Sequence, residues 1–198
     1  MATVTDICNT ALSYVGSRGT ITSLDETSTE ARVCKAHYEI TRDVVLSEAD
    51  WGFASANRVL AQLSEDPPTG WSYVYEYPNN CLKARFLVQA SRTADRLPFA
   101  VMMNNDDSDM VIACDVDEAQ LRYTKRVENP ALFPPLFAEA FALRLAARIA
   151  MPIVREPKMV TTLMQNYSQA RAIAIAASMN ESQRDEPVDA DWIQARDE

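Results

Sequence analysis

Glycine is scarce in this chain, four residues in 198. The sequence contains no G-x-G-x-x-G, no phosphate loop and no G-x-S-x-G. That removes the motifs that rely on glycine for close backbone approach to a phosphate or for a sharp nucleophile turn. Histidine occurs once, so any Ser/His or Cys/His nucleophile system would have to use His37. The four cysteines, Cys8, Cys34, Cys81 and Cys114, are far apart and form no C-x-x-C pair. With one histidine they cannot complete a Cys/His zinc finger, so no metal framework and no cofactor is expected. Thiols so placed suit a reducing, cytoplasmic setting.

Positive charge is also short, with 19 basic residues against 28 acidic and a net charge of −9. A chain that grips nucleic acid by neutralising phosphates is the opposite case. Near DNA, such a surface instead keeps a passing duplex from sticking. Residues 181–198 carry seven acidic and two basic side chains, and so hold much of the excess. The opening MATVTDICNTALSYVG lacks the basic region and long apolar run of a signal peptide. A membrane span is not expected either. The most apolar stretch, NPALFPPLFAEAFALRLAARIAMPIVREP at 129–157, is interrupted by Glu139, Arg144 and Arg148, whereas a spanning helix needs ~20 mostly apolar residues. Pro152 is expected to end the run.

What is present reads as helices around a β insertion. Thr3 or Thr5 can cap a first helix carrying Ile7, Ala11, Leu12 and Val15, stopped by GSRG. Ser28 or Thr29 can cap a second that runs to about Ala49, with Val33, His37, Ile40 and Val44 as its apolar stripe. On that stripe His37 reads as a packed, hydrogen-bonded core residue, and Glu39 and Asp43 fall on solvated faces. From about residue 54 the period changes to two. WSYVYEYP sets Trp71, Tyr73, Tyr75 and Tyr77 on one face, and CLKARFLV sets Leu82, Ala84, Phe86 and Val88 against Lys83, Arg85 and Leu87. PFAVMM and QLRYTKRV are further strand candidates, with turns at EDPPTG, PNN and NNDDSD. Helix returns after Pro130 in PPLFAEAFALRLAARIA, with prolines at its first turn, and again from about Pro157 to Ser178.

The predicted fold class is therefore α+β: a four-helix bundle of two N-terminal and two C-terminal helices, an inserted small antiparallel β domain of five or six strands, and an extended C-terminal tail. The bundle is assigned to 1–53 and 130–180, the β domain to 54–129, and a flexible docking tail to 181–198. That tail is polar and acidic, yet holds Trp192 and Ile193 in DWIQAR.

No catalytic constellation emerges. A glycosidase pair needs two carboxylates about 5–10 Å apart in a cleft, and linear spacing does not decide that for Glu30, Asp50 and Glu76. NNDDSDM lacks the glycine and closing glutamate of a calcium loop and reads as a polar turn. The aromatic ladder from Trp71 to Tyr77 has serine, valine and glutamate for neighbours, which favours core packing over a base-stacking platform. Arg144 and Arg148, with Arg155 beyond, form a basic ridge that suits either intrahelical pairs or an acidic surface on a second copy.

Several segments together resemble the head-to-tail adaptor proteins of tailed bacteriophages, also called tail tubular protein A. They are DICNTALSYVG; EARVCKAHYEITRDVVLSEADWGFASANRVLAQL, where a long helix runs into a W-x-F-A turn; YVYEYPNNCLKARFL; LFPPLFAEAFALRLAARIAMPI; and DWIQAR. Their order and spacing over nearly the whole chain carry the resemblance. Asn80 stands where an acidic residue is common, and Lys83 where arginine is. The resemblance implies a non-enzymatic virion protein with a four-helix bundle and an inserted β domain. Twelve copies usually form a ring beneath the portal protein, extend the DNA channel and receive the downstream tail or nozzle protein.

It places the chain at the head–tail junction of a virion assembled in the host cytoplasm, with genomic DNA passing through without specific binding and no membrane partner. Subunits of the family can stay monomeric until they dock. Trp192, Ile193 and Arg196 are then the expected portal-docking residues, and Arg144, Arg148 and Arg155 the expected subunit–subunit contacts. The phenylalanine stripe Phe133, Phe137 and Phe141, with Leu145 and Ile149, is expected to bury in its own chain, and the flank Leu136, Ala140, Leu143 and Ala147 to meet the next subunit. Two other classes stay open: a phage-particle cell-wall glycosidase, and a cytoplasmic helical interaction protein.

Overall fold

The computed structural model describes residues 2–88 and 97–181. Four α-helices and six strands appear in the order α1 (Val4–Tyr14), α2 (Thr29–Glu48), β1 (Ser55–Val59), β2 (Tyr73–Glu76), β3 (Cys81–Val88), β4 (Phe99–Met103), β5 (Met110–Cys114), β6 (Gln120–Lys125), α3 (Pro135–Val154) and α4 (Pro157–Glu181). The architecture is α+β, with both sheets inserted between the second and third helices.

Local chemistry sets the helix ends. Thr3 accepts from the Asp6 amide at 3.1 Å while Asp6 accepts from the Thr3 amide at 2.9 Å, a reciprocal capping box. At the other end of α1 the Gly16 amide donates to the Ser13 carbonyl and the Ser17 amide to the Leu12 carbonyl. That pairing needs a left-handed residue, and Gly16 supplies it at φ 72°. Ser28 caps α2 through the Ala31 amide, 3.2 Å. Helix α3 runs through Pro152 to Val154, two residues past the expected stop. A proline in the last turn forfeits one bond to the preceding turn without forcing the helix to end there. Termination comes instead at Arg155, left-handed at φ 58°, just before Glu156 and Pro157.

The helical core centres on α3, which packs against α1, α2 and α4. Phe133, Phe137, Phe141, Leu145 and Ile149 are all buried. Phe137 meets Trp51 edge-on at 5.0 Å, Phe53 at 4.8 Å and Phe133 at 5.0 Å, while Phe141 meets Tyr38 at 5.1 Å. Five large side chains on one stripe represent about 8–15 kcal/mol of gross burial. The flank expected to face a second copy is closed within the chain. Ala140, Leu143 and Ala147 are buried in the core that α4 shares through Leu163, Tyr167 and Ala174, and of that flank Leu136 alone is exposed. Alanine lets two backbones approach closely, so a small-residue stripe suits an intrachain helix pair as well as an interface.

The stripe expected for α2 is out of phase. Ala31, Cys34, Tyr38, Thr41, Arg42, Val45 and Leu46 are buried, whereas Val33, His37 and Val44 are only partly covered and Ile40 is 58% exposed. Both sets have helical spacing, so period alone could not choose between them. Two polar members hid the true face. Thr41 donates back to the His37 carbonyl at 2.6 Å, and Arg42 is neutralised by Asp43 at 2.9 Å. Asp43 is thus a half-buried ion-pair partner rather than a solvated charge.

The strands form two three-stranded antiparallel sheets, β1-β6-β3 and β2-β5-β4. They share a second core in which Leu87, Leu121 and Tyr123 of one sheet meet Tyr75, Ile112 and Cys114 of the other. Two register shifts in β3, at Cys81/Lys83 and Ala84/Phe86, break the alternation expected for CLKARFLV. Leu87 is consequently buried in the β core, and Arg85 reaches the helical side. Of the aromatic ladder, Tyr75 is buried, and its neighbour Tyr73 lies 6.3 Å away, ring to ring.

Candidate functional site

The joint between helices and sheets is the most densely charged part of the described structure. It begins at the C-terminal end of α2, where the last carbonyls lack intrahelical donors. Arg85 of β3 donates to the Ser47 carbonyl at 3.1 Å, to the Ala49 carbonyl, and to the Thr124 hydroxyl at 2.8 Å. Arg122 of β6 pairs with Asp50 at 3.3 Å, and Arg126 with Asp43 at 3.0 Å. Three cations from the sheet side thus meet the negative end of the α2 dipole and its flanking carboxylates.

A second polar junction joins α2, α3 and α4. Glu48 accepts from the Tyr167 hydroxyl and from Arg171 at 2.8 Å. The Arg144 and Arg171 guanidinium carbons lie 5.2 and 5.9 Å from the Tyr167 ring centroid. Burial, and then the hydrogen bond to Glu48, push the Tyr167 phenol well above its ordinary range. Arg144 also directs a nitrogen at the Met164 sulfur, 2.7 Å away.

These contacts decide where the expected ridge lies. Arg144 is engaged between α3 and α4 of its own chain, Arg148 is half-buried one turn later, and Arg155 is exposed at the end of α3. The three do not form one free face. Trp192, Ile193 and Arg196 lie outside the described residues.

The carboxylates Glu30, Asp50 and Glu76 are not brought together as a pair. Glu30 is in the first turn of α2 and Asp50 lies beyond its last, so about 30 Å of helix separates them. Asp50 is moreover engaged with Arg122. Glu76 lines an open groove of about 550 Å³ in the β domain, where Glu65 and Asp109 join it. These two are carboxylates that spacing along the chain did not single out. NNDDSDM forms a turn in which the Asn104 side-chain oxygen accepts from the Ser108 and Asp109 amides at 2.9 and 3.2 Å. No group of three or more His, Cys, Asp or Glu side chains among the described residues is placed to hold a metal ion. No described helix is long and apolar enough to cross a membrane.

No protein-family model matches the chain, and no curated protein matches it.

Proposed function

We propose that this chain is a structural subunit of a phage head-to-tail adaptor ring. The observation that carries this reading is the layout. Helices from before and after a six-stranded insertion share one core on α3, while the strands keep a core of their own. That is the arrangement the resemblance implies, and on this reading α1 to α4 are the adaptor's four-helix bundle.

The subunit is non-enzymatic. It forms a ring, probably of twelve copies, docks beneath the portal protein, and receives the downstream tail or nozzle protein in the virion. A net charge of −9 suits a conduit through which genomic DNA slides without being bound. Trp192, Ile193 and Arg196 would make the portal contact, with Trp192 as the anchor. Among the ridge residues, Arg155 is the one whose exposure best suits a contact between copies.

The test is light scattering and negative-stain imaging of the purified chain with and without its portal. A ring seated on the portal is expected; a folded chain that stays monomeric beside an intact portal overturns the reading. The competing glycosidase would use the groove that holds Glu65, Glu76 and Asp109. Clearing of a cell-wall suspension that is lost on Glu76→Gln would favour it instead.

A further inference from the structure

The last turn of α4 forms one wall of an apolar cleft. Opposite it stand Trp51 and Phe53, and Pro134, Pro135 and Leu136 at the start of α3 close the third side. The Gly52 amide donates to the Ser178 hydroxyl at 3.0 Å and fixes the width of the opening. About 370 Å³ is empty there, room for a single large side chain rather than another helix. Leu136 stands 39% exposed at its rim.

Glu181, the last described residue of α4, lines this same cleft. Chain leaving α4 therefore starts at the mouth. The seventeen residues beyond it are mostly polar, and Trp192 and Ile193 are adjacent large apolar side chains among them. Trp192 is eleven residues from Glu181. A coil of that length spans roughly 17–20 Å end to end and up to about 36–40 Å when extended. A turn back to the mouth is within easy reach, and tethering of this kind gives a local concentration on the order of millimolar.

We propose that residues 182–198 turn back on their own chain and seat Trp192 in this cleft. The indole would lie among Phe53, Pro135 and Leu136, an aromatic–proline setting that covers apolar surface otherwise left open. The contact does not depend on the adaptor reading. Under that reading it is a latch, and a portal binding Trp192 must first displace it.

Acrylamide quenching of the full chain carrying Trp71→Phe tests this. Trp51 is 1% exposed, so the quenchable emission of that chain reports Trp192. The reference is a synthetic peptide of residues 182–198. We expect Trp192 to be protected in the full chain relative to the peptide, and the protection to be lost on Leu136→Glu. That substitution puts an acid in the first turn of a helix, where it favours folding. Peptide-like quenching in the Leu136 chain, or protection that Leu136→Glu leaves untouched, overturns the proposal. Protection that disappears on dilution gives the cleft to a second copy and overturns it as well.

Discussion

The guanidinium of Arg144 lies over the ring of Tyr167, 5.2 Å from its centroid, and so ties α3 to α4. An arginine on a helix face is ordinarily a candidate for contact with another molecule, but this one is engaged at home. Arg144→Glu is accordingly expected to cost about 1–3 kcal/mol of monomer stability, by loss of the stack and by placing an acid near Glu48. Arg155→Glu should stay within about 0.5 kcal/mol of the parent. Urea unfolding of the two variants measures both. Equal stability of the two would mean that the Tyr167 stack contributes nothing.

Tyr167 also sets an alkaline limit. Its phenol is held above the ordinary value of 10.0, first by burial and then by its hydrogen bond to Glu48. Tyr38 is shifted the same way, by burial first. For a group whose folded pKa is raised, the stabilisation is fully present below the unfolded pKa and is lost as pH rises toward the folded one. Stability should therefore be level with respect to these groups below about pH 9 and fall as pH climbs past about 10. Tyr167→Phe should make that fall shallower, read from unfolding curves at stepped pH. An unchanged slope would remove Tyr167 from the account.

Arg85 is the pin of the helix–sheet joint. It serves two carbonyls at the end of α2 and the hydroxyl of fully buried Thr124. Removing it leaves those acceptors without a donor, so Arg85→Ala should cost about 2–4 kcal/mol. Lysine cannot reproduce the fork, so Arg85→Lys should recover only part of the loss. Hydrogen exchange should then quicken at the end of α2 and in β6 before the α3 core is affected. Uniform quickening across the chain would argue against a local joint.

Much of the secondary structure was legible in the sequence because caps and periods are local. Thr3, Ser28 and Gly16 announce helix ends in a few residues, and Phe133 to Ile149 announce a buried face. Phase is harder, because it depends on what lies opposite. In α2 the true face includes Thr41 and Arg42, polar residues made burial-compatible by partners that the linear chain does not display. Strand β5, MVIAC, was missed for a related reason. It is central in its sheet and buried on both faces, so it lacks the alternation that marks half-buried strands. The bulges of β3 were likewise invisible, and they send Arg85 to the helical side. The site residues fared worst, since exposure and pairing are tertiary facts. Spacing put Arg144, Arg148 and Arg155 on one ridge, and packing of α4 took Arg144 out of it.

Arg155 separates the demands of folding from those of assembly. It ends α3 at φ 58°, ψ 30°, with its amide donating to the Ala150 carbonyl at 3.2 Å. A side chain with a Cβ pays roughly 1–2 kcal/mol for that left-handed geometry, which glycine avoids. Glycine also loses more freedom on folding, by roughly 0.5–1 kcal/mol. The net expectation for Arg155→Gly is a stability gain of about 0.5–1 kcal/mol, seen as a higher urea midpoint with an unchanged slope. If Arg155 contacts an acidic surface on the next copy, the same variant should form rings on the portal less readily despite its firmer fold. Opposite signs in unfolding and assembly would place the guanidinium at the interface. A gain in stability with assembly unimpaired would leave Arg155 as a helix terminator alone.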